Sequence, residues 1–338
     1  MPMIDLTYAS DQHGLVWGYH FMRGQVTRPI SSDGAVELLA AFDPSIPDQF
    51  LWLHFSLSNA ASEPWLRRNL ALPDSFHEAL HSDVGATRLE QDGDALVAVI
   101  HDVVFDFNFD ASAVATMSLC VNQRLLVSAR LRPLRSVDQL RAAVRAGQAF
   151  RSPAELLAHL LQDQSDVLVS ILRQSTRRAD QIEDGLLAHR RSASRNELGY
   201  LRRVLVRLQR LLAPEPAAFF RLLSRPPDWI ATDDLQDLRR AAEEFSAATG
   251  DSAALIERLK LLQEELAALV TEETNRTLFV LTVVTVLALP INMVAGLFGM
   301  NVGGIPLAEH SAGFFLIVGT LFAVTMLLAY LTLVRRRD

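Results

Sequence analysis

Two apolar runs near the C-terminus, Leu278 to Phe298 and Gly313 to Val334, are each long enough to cross a bilayer, and a short segment beginning Gly299, Met300, Asn301 joins them. A spanning helix needs roughly 20 apolar residues to match the hydrocarbon thickness. No Lys or Arg lies between Arg276 and Arg335. Two helices in a hairpin are the economical arrangement, and they make the chain a membrane protein.

Positive charge sets the expected orientation. Arg276 precedes the first run and Arg335, Arg336 and Arg337 follow the second, whereas the connecting segment carries no basic residue. Basic residues stay on the cytoplasmic side, so both termini are predicted to be cytoplasmic. The opening MPMIDLTYASDQHG has neither the basic start nor the apolar stretch of an export signal. The first 270 or so residues are therefore expected to be cytosolic.

The chain has 338 residues, room for more than one core, and a formal net charge of −7. An acidic balance gives no reason to expect nucleic acid as a partner. Cys120 is the only cysteine, which excludes intrachain disulfides and thiolate-rich metal sites.

Residues 1–150 read as a mixed α/β domain. Phe105, Phe107 and Phe109 alternate with Asp106, Asn108 and Asp110, predicting a half-buried strand over Val103 to Asp110. Phe50 to Phe55, Ala95 to Ile100, Ala115 to Val121 and Arg124 to Ala129 read as its partners, and Pro73 to His81 and Val137 to Ala146 as helices. Residues 151–274 read as long stalk helices. Ser152 with Glu155 and Ser194 with Glu197 have capping-box spacing. Pro214, Pro216, Pro226 and Pro227 interrupt the pattern before a shorter helical stretch over Asp234 to Ala248. From Asp251 to Leu289 there is neither Gly nor Pro, so one helix starting near residue 252 can run from cytosol into bilayer for about 60 Å. The remaining parts are the first span over 275–298, an outer loop over 299–312, the second span over 313–334 and a basic tail over 335–338.

At 100° per residue, Glu257, Glu264, Thr271, Asn275, Leu278, Thr282, Thr285, Leu289, Asn292 and Gly296 fall in one stripe of that helix. Polar side chains in a span face protein or water. The plain alternative has Thr282 and Thr285 bonding back to their own helix and Asn292 joining neighbouring helices. Asn275 and Asn292 on the same stripe favour a pore lining. Two spans cannot enclose water, so a pore requires a homo-oligomer. Hydroxyls, amides and Leu side chains without charge suit a cation that keeps its hydration shell, as small hard divalent ions do. Leu278 and Leu289 are placed to constrict such a pore. In the outer loop, Asn301 offers an amide oxygen, Glu309 is the sole acid and His310 a nitrogen ligand; Gly299 can also be read as a helix cap, and Glu309 and His310 as solvated.

From Asn275 and Arg276 through Pro290 and Gly296 to Gly299, Met300 and Asn301, then a second span and a basic tail, the chain resembles the CorA family of divalent cation transporters. Val302, Gly303, Gly304, Ile305 and Pro306 resemble its ZntB-like zinc-transport branch. The likeness extends through Leu51 to His54 and the Val121 to Arg132 strands but is sharp only near the C-terminus. It implies a funnel-shaped homopentamer in the inner or plasma membrane, with an α/β cytosolic domain and a pore lined by the first span. It also implies an outer selectivity site at Gly299, Met300 and Asn301, an inner polar ring at Asn275, constrictions at Leu278, Leu281 and Leu289, and a polar pore position at Asn292. The family's acidic outer pair is reduced here to Glu309. Zinc is the implied cargo, with magnesium, cobalt or nickel the alternative, and no resident cofactor is expected. The resemblance allows a proton-driven mode for the zinc branch, yet no carboxylate sits within these spans, which favours passive flow.

Two rivals remain from other classes. His77, Glu78, Ala79, Leu80 and His81 spell HExxH, the zinc-protease pattern, with Glu78 as general base. No third ligand is marked by a second motif, and the segment reads as a surface helix. The other rival is a membrane-tethered sensor or scaffold. His101, Asp102 and Asp106 are a possible regulatory metal group, but strand alternation puts His101 and Asp102 on opposite faces, and they read as solvent-facing.

Overall fold

The computed structural model describes residues 10–23, 25–42, 49–81, 87–110, 113–187, 194–300 and 312–334. Backbone contacts divide the chain into two compact units, residues 1–263 and 264–338.

The first unit is built on a seven-stranded sheet. Its strands are β1 (Leu15–Met22), β2 (Arg28–Ile30), β3 (Gln49–Ser56), β4 (Arg88–Asp92), β5 (Ala95–Val103), β6 (Val114–Val121) and β7 (Leu125–Arg130), in spatial order β2-β1-β3-β7-β6-β5-β4. Every neighbouring pair is antiparallel except β3 and β7, which run parallel with Leu53 opposite Val127. Helices α1 (Ser32–Ala40), α2 (Ser62–Asn69) and α3 (Asp74–Ala79) bring Ala35, Trp65, Leu66 and Phe76 onto Leu51, Leu53, Phe55, Val97, Val99 and Val127. The alternate residues of β1 and β3 point the other way. There Trp17 stacks on His54 with ring centroids 4.1 Å apart, and Arg141 of α4 (Arg135–Arg145) lies over the Trp17 ring at 4.4 Å. Both faces are covered, so β3 reads as a nearly continuous apolar run rather than an alternating one.

The strands predicted over Phe50 to Phe55, Ala95 to Ile100, Ala115 to Val121 and Arg124 to Ala129 are present, each within a few residues. The strand predicted over Val103 to Asp110 is not. Beyond Val103 only Val104 bridges, to Leu134, and the chain turns back to β6, with Val104 N–H bonded to the Ala113 carbonyl and Phe107 N–H to that of Val104. Phe107 and Phe109 are buried but Phe105 is 43 % exposed, and Phe109 has φ of 58°. The alternation of Phe and Asp here serves a folded-over connection, in which two rings tuck under and the acids stay wet.

Ser152 caps α5 (Pro153–Leu187) by accepting the Glu155 N–H at 2.9 Å, while Glu155 reaches back to the Arg151 N–H at 2.6 Å. α6 (Ser194–Leu212) starts at the residue predicted to cap it. Pro214 and Pro216 do not break the chain into a loop. They occupy the first turn of α7 (Pro214–Leu223), where a missing N–H removes no helical bond.

The last two helices are α8 (Thr232–Phe298) and α9 (Gly313–Val334). The separate stretches predicted over Asp234 to Ala248 and from Asp251 are one element, because a lone Gly250 costs only about 1 kcal/mol in a helix that packing secures. Pro290 also lies inside α8. Both helices are long and apolar enough to span a membrane, and the apolar side chains of their spanning parts are largely uncovered by protein.

Candidate pore face and buried polar groups

Within the second unit, the first span has two different sides. Phe279, Val283, Leu287, Pro290 and Val294 are half-buried, and Pro290, Val294 and Phe298 line an apolar groove with Leu316, Ile317, Thr320, Leu321 and Val324 of α9. The stripe Asn275, Leu278, Thr282, Thr285, Leu289, Asn292 and Gly296 is exposed along its length, with Leu278 54 % and Leu289 66 % accessible. At 100° per residue the two sides are about 140° apart. The hairpin therefore turns its polar stripe away from its own second helix. Leu281, predicted as a constriction, is also exposed.

The hydroxyls of this stripe donate backwards. Thr282 Oγ1 bonds the Leu278 carbonyl at 2.8 Å, Thr285 that of Leu281 at 2.9 Å, and Thr271 that of Ala267 at 2.9 Å. The plain expectation for Thr282 and Thr285 thus holds, and it has a chemical consequence. Once its proton is given to the helix, a threonine oxygen faces outward as an acceptor only, which suits a cation or the water around one. Asn275 and Asn292 add exposed amides on the same side.

In the first unit the same pattern continues along α8. Glu257 is exposed, with Lys260 Nζ at 3.5 Å, while Leu255, Leu259 and Leu262 are buried about 170° away around the helix. Glu264, in the second unit, is exposed. α8 closes at Phe298; Gly299 N–H bonds the Ala295 carbonyl at 2.9 Å, and a Cβ there would stand 3.1 Å from that oxygen. Met300 is exposed at 51 %. Asn301, Val302 to Pro306, Glu309 and His310 lie outside the described residues.

The HExxH segment does not assemble a zinc site, nor is it wholly a surface helix. His77 is buried at 5 % exposure against Phe76, and burial lowers its pKa below the ordinary imidazole value, with Arg67 nearby adding to the effect. His81 lies beyond the end of the short α3 and faces Glu63 at 3.5 Å, while Glu78 approaches Arg88 at 3.9 Å. The two histidines part because the helix ends at Ala79, so one turns into the core and the other stays outside. Among the described residues no three His, Cys, Asp or Glu side chains are gathered to hold a metal.

His101 and Asp102 are not solvent-facing. They sit on opposite faces of β5 as alternation requires, but both are sealed in, at 0 % and 3 % exposure, while Asp106 stays exposed. Helices cover what a sequence can only identify as the end of a strand. Their partners, Glu215 and Gln164, were not among the residues singled out from sequence. The one available signal was a carboxylate set between two prolines in the first turn of a helix.

A family profile described as CorA-like Mg2+ transporter protein matches residues 47–336. The chain belongs to this family. It is a membrane protein with two C-terminal transmembrane helices, a divalent metal cation transporter of the inner membrane rather than an enzyme. Among characterised relatives, the divalent cation transporter CmaX of Pseudomonas aeruginosa is 29 % identical over 314 residues, covering 91 % of this chain and 92 % of its own. The zinc transport protein ZntB of Pectobacterium carotovorum is 26 % identical over 264 residues, covering 78 % and 80 %. The solved structure of full-length CmaX superposes with a TM-score of 0.79 at 25 % identity, over 96 % of this chain and 99 % of that one. The α/β unit, the long helix and the two apolar helices thus make up a CorA-like fold.

Proposed function

We propose that five copies of this chain surround a central pore lined by the first span, and that the pore carries hydrated zinc across the inner membrane. The observation that carries this reading is the exposed stripe from Asn275 to Gly296, set about 140° from the face that meets α9. A polar stripe in lipid is costly. Gathered around an axis, the same stripe faces water and its oxygens face the cargo.

In this reading Gly299, Met300 and Asn301 form the outer selectivity site, with Glu309 and His310 at its rim. Asn275 is the inner polar ring, Leu278, Leu281 and Leu289 constrict, and Thr282, Thr285, Asn292 and Gly296 line the wall. Glu257, Glu264 and Thr271 continue the path on the cytosolic side. Residues 1–150 are the cytosolic α/β domain and 151–274 the stalk, with both termini cytoplasmic; 299–312 form the outer loop, 313–334 the second span and 335–338 the basic tail. That no Asp or Glu stands between Arg276 and the outer loop favours passive flow over the proton-driven mode that the zinc branch allows.

Zinc is favoured by the resemblance at Val302 to Pro306 and by the relatives named as zinc transport proteins. Magnesium, with cobalt or nickel, is the second reading, favoured by membership in a family of CorA-like Mg2+ transporters and by a stripe that offers oxygen rather than the nitrogen and sulfur zinc prefers. Purified protein in liposomes, followed with zinc- and magnesium-sensitive dyes with and without a pH gradient, decides between them. Zinc flux that is lost in Asn301→Ala supports the pore and its cargo. Magnesium flux alone selects the second reading, and flux of neither ion leaves a tethered sensor.

A further inference from the structure

Between the two spans lies a cavity of about 400 Å³, walled by Pro290, Val294 and Phe298 of α8 and by Leu316, Thr320 and Val324 of α9. Thr320 is the one polar residue among those that line it, and its hydroxyl is spent on the Leu316 carbonyl at 2.9 Å. Pro290 has no N–H to offer, so at the same level of α8 the Val286 carbonyl lacks the donor that a helix supplies four residues on. An occupant therefore meets hydrocarbon walls and no side-chain donor.

The cavity is continuous with the surface that the hairpin turns to lipid. Ile291 and Leu327 beside it are 42 % and 58 % exposed, and in a protein with two transmembrane helices such apolar side chains lie in the hydrocarbon. The cavity also stands about 140° around α8 from the polar stripe. On the pore reading, on which this step rests, the stripe turns to the axis, so the cavity turns outward to the bilayer. Size then separates the occupants. From Pro290 to Phe298 and from Leu316 to Val324 the walls each rise about 12 Å, close to half the hydrocarbon thickness. Two turns of a helix about 10 Å across need roughly 800 Å³ over that length, twice what is there. One hydrocarbon chain entering from the Phe298 end fits.

We propose that this cavity is a phospholipid site, in which one acyl chain of the leaflet at the Phe298 end stands upright against Pro290 while its headgroup stays at the membrane surface. The chain supplies the contacts that both helices forfeit to a void. It does so beside the turn of α8 that Pro290 deprives of a backbone bond.

Lipid counting on the full-length protein tests this. Protein reconstituted in phosphatidylethanolamine and phosphatidylglycerol vesicles is exchanged into detergent, and native mass spectrometry counts the phospholipids that stay with it. Wild type should carry at least one per chain. Thr320→Phe puts a ring into the cavity from α9 and Val294→Phe from α8, and each should lower the count by one per chain. Val318→Phe, on an exposed side of α9 about 160° from Thr320, should leave it unchanged. A wild type that emerges without lipid overturns the site. So does a count that both filling variants leave at the wild-type value, or that Val318→Phe lowers equally. Should neither filling variant assemble, vesicles of tail-brominated phosphatidylcholine decide with Leu321→Trp, which places an indole at the cavity wall. Quenching beyond that of wild type supports the site, whereas an added tryptophan left unquenched is covered by protein and overturns it. The count is taken per chain and without ion flux, so a protein that holds its lipid but neither conducts nor forms a ring of five loses the pore reading alone.

Discussion

The two units use the same apolar residue types in opposite ways. In the first, Leu51, Leu53 and Phe55 are fully enclosed between the sheet and α1 to α3. In the second, Leu289, Met293 and Phe322 are 65 % or more exposed to whatever surrounds the chain. One unit closes its own core. The other is complete only with lipid on one side and, in the proposed pentamer, further copies on the other. Leucine content alone does not separate them; the polar residues do. In the first unit polar side chains are buried among partners, as His54 is with Ser128 at 2.7 Å. In the first span Thr282, Thr285 and Asn292 share one stripe that the hairpin leaves open.

The largest expected contrast sets Phe55→Ala against Leu289→Ala. Truncating the enclosed ring should cost about 4 kcal/mol of stability, whereas the exposed leucine should cost the folded monomer almost nothing. All four tryptophans, Trp17, Trp52, Trp65 and Trp229, belong to the first unit, so in denaturant unfolding of the full-length protein in detergent their fluorescence follows that unit, while helical circular dichroism also follows the second. A costly Leu289→Ala in this assay would break the comparison.

Next, Asn292→Leu removes an amide from the stripe and should cut ion flux roughly tenfold, while Val294→Leu, on the face toward α9, should leave it within about twofold. Equal losses would show that the stripe has no privileged side. Thr285→Val keeps the shape but deletes the outward oxygen; flux should fall only about twofold to fivefold, because Thr282 remains. The smallest effect is Arg151→Ala. Arg151 binds Asp234 Oδ1 at 2.8 Å and also pairs with Asp237, but its side chain is 43 % exposed, so the loss should be no more than about 1 kcal/mol by the same fluorescence assay.

Four strands that carry apolar runs were legible, but β1, Leu15–Met22, was not, although its LVWGYHFM is largely buried. Phe50 to Phe55 and Ala115 to Val121 were read with nearly correct bounds because both their faces are covered. β4, Arg88–Asp92, was not, since an edge strand reading RLEQD has no apolar signature and forms because β5 supplies its partners. Over Val103 to Asp110 the pattern was that of a strand, but the pairing positions end at Val103 and the chain turns. The stripe on α8 needed only the helical repeat. What periodicity could not supply was the face toward α9, which depends on how two helices pack, and the pairing of His101 with Glu215, which are 114 residues apart in the chain. Asn301, Glu309 and His310 carry much of the proposed outer site on sequence alone.

The parallel pair in the middle of the sheet also orders events during synthesis. β3 is complete at Ser56 but cannot gain its inner neighbour until Arg130 has been made, so the sheet stays split while β4 to β7 are translated. After that, the ribosome still has to add the helices before Leu278, which at roughly 5–20 residues per second takes on the order of ten seconds. The first unit has that interval to assemble before the first greasy segment calls for an insertion machine, so a variant that delays the union of β3 with β7 would deliver its spans to the membrane before that unit is finished.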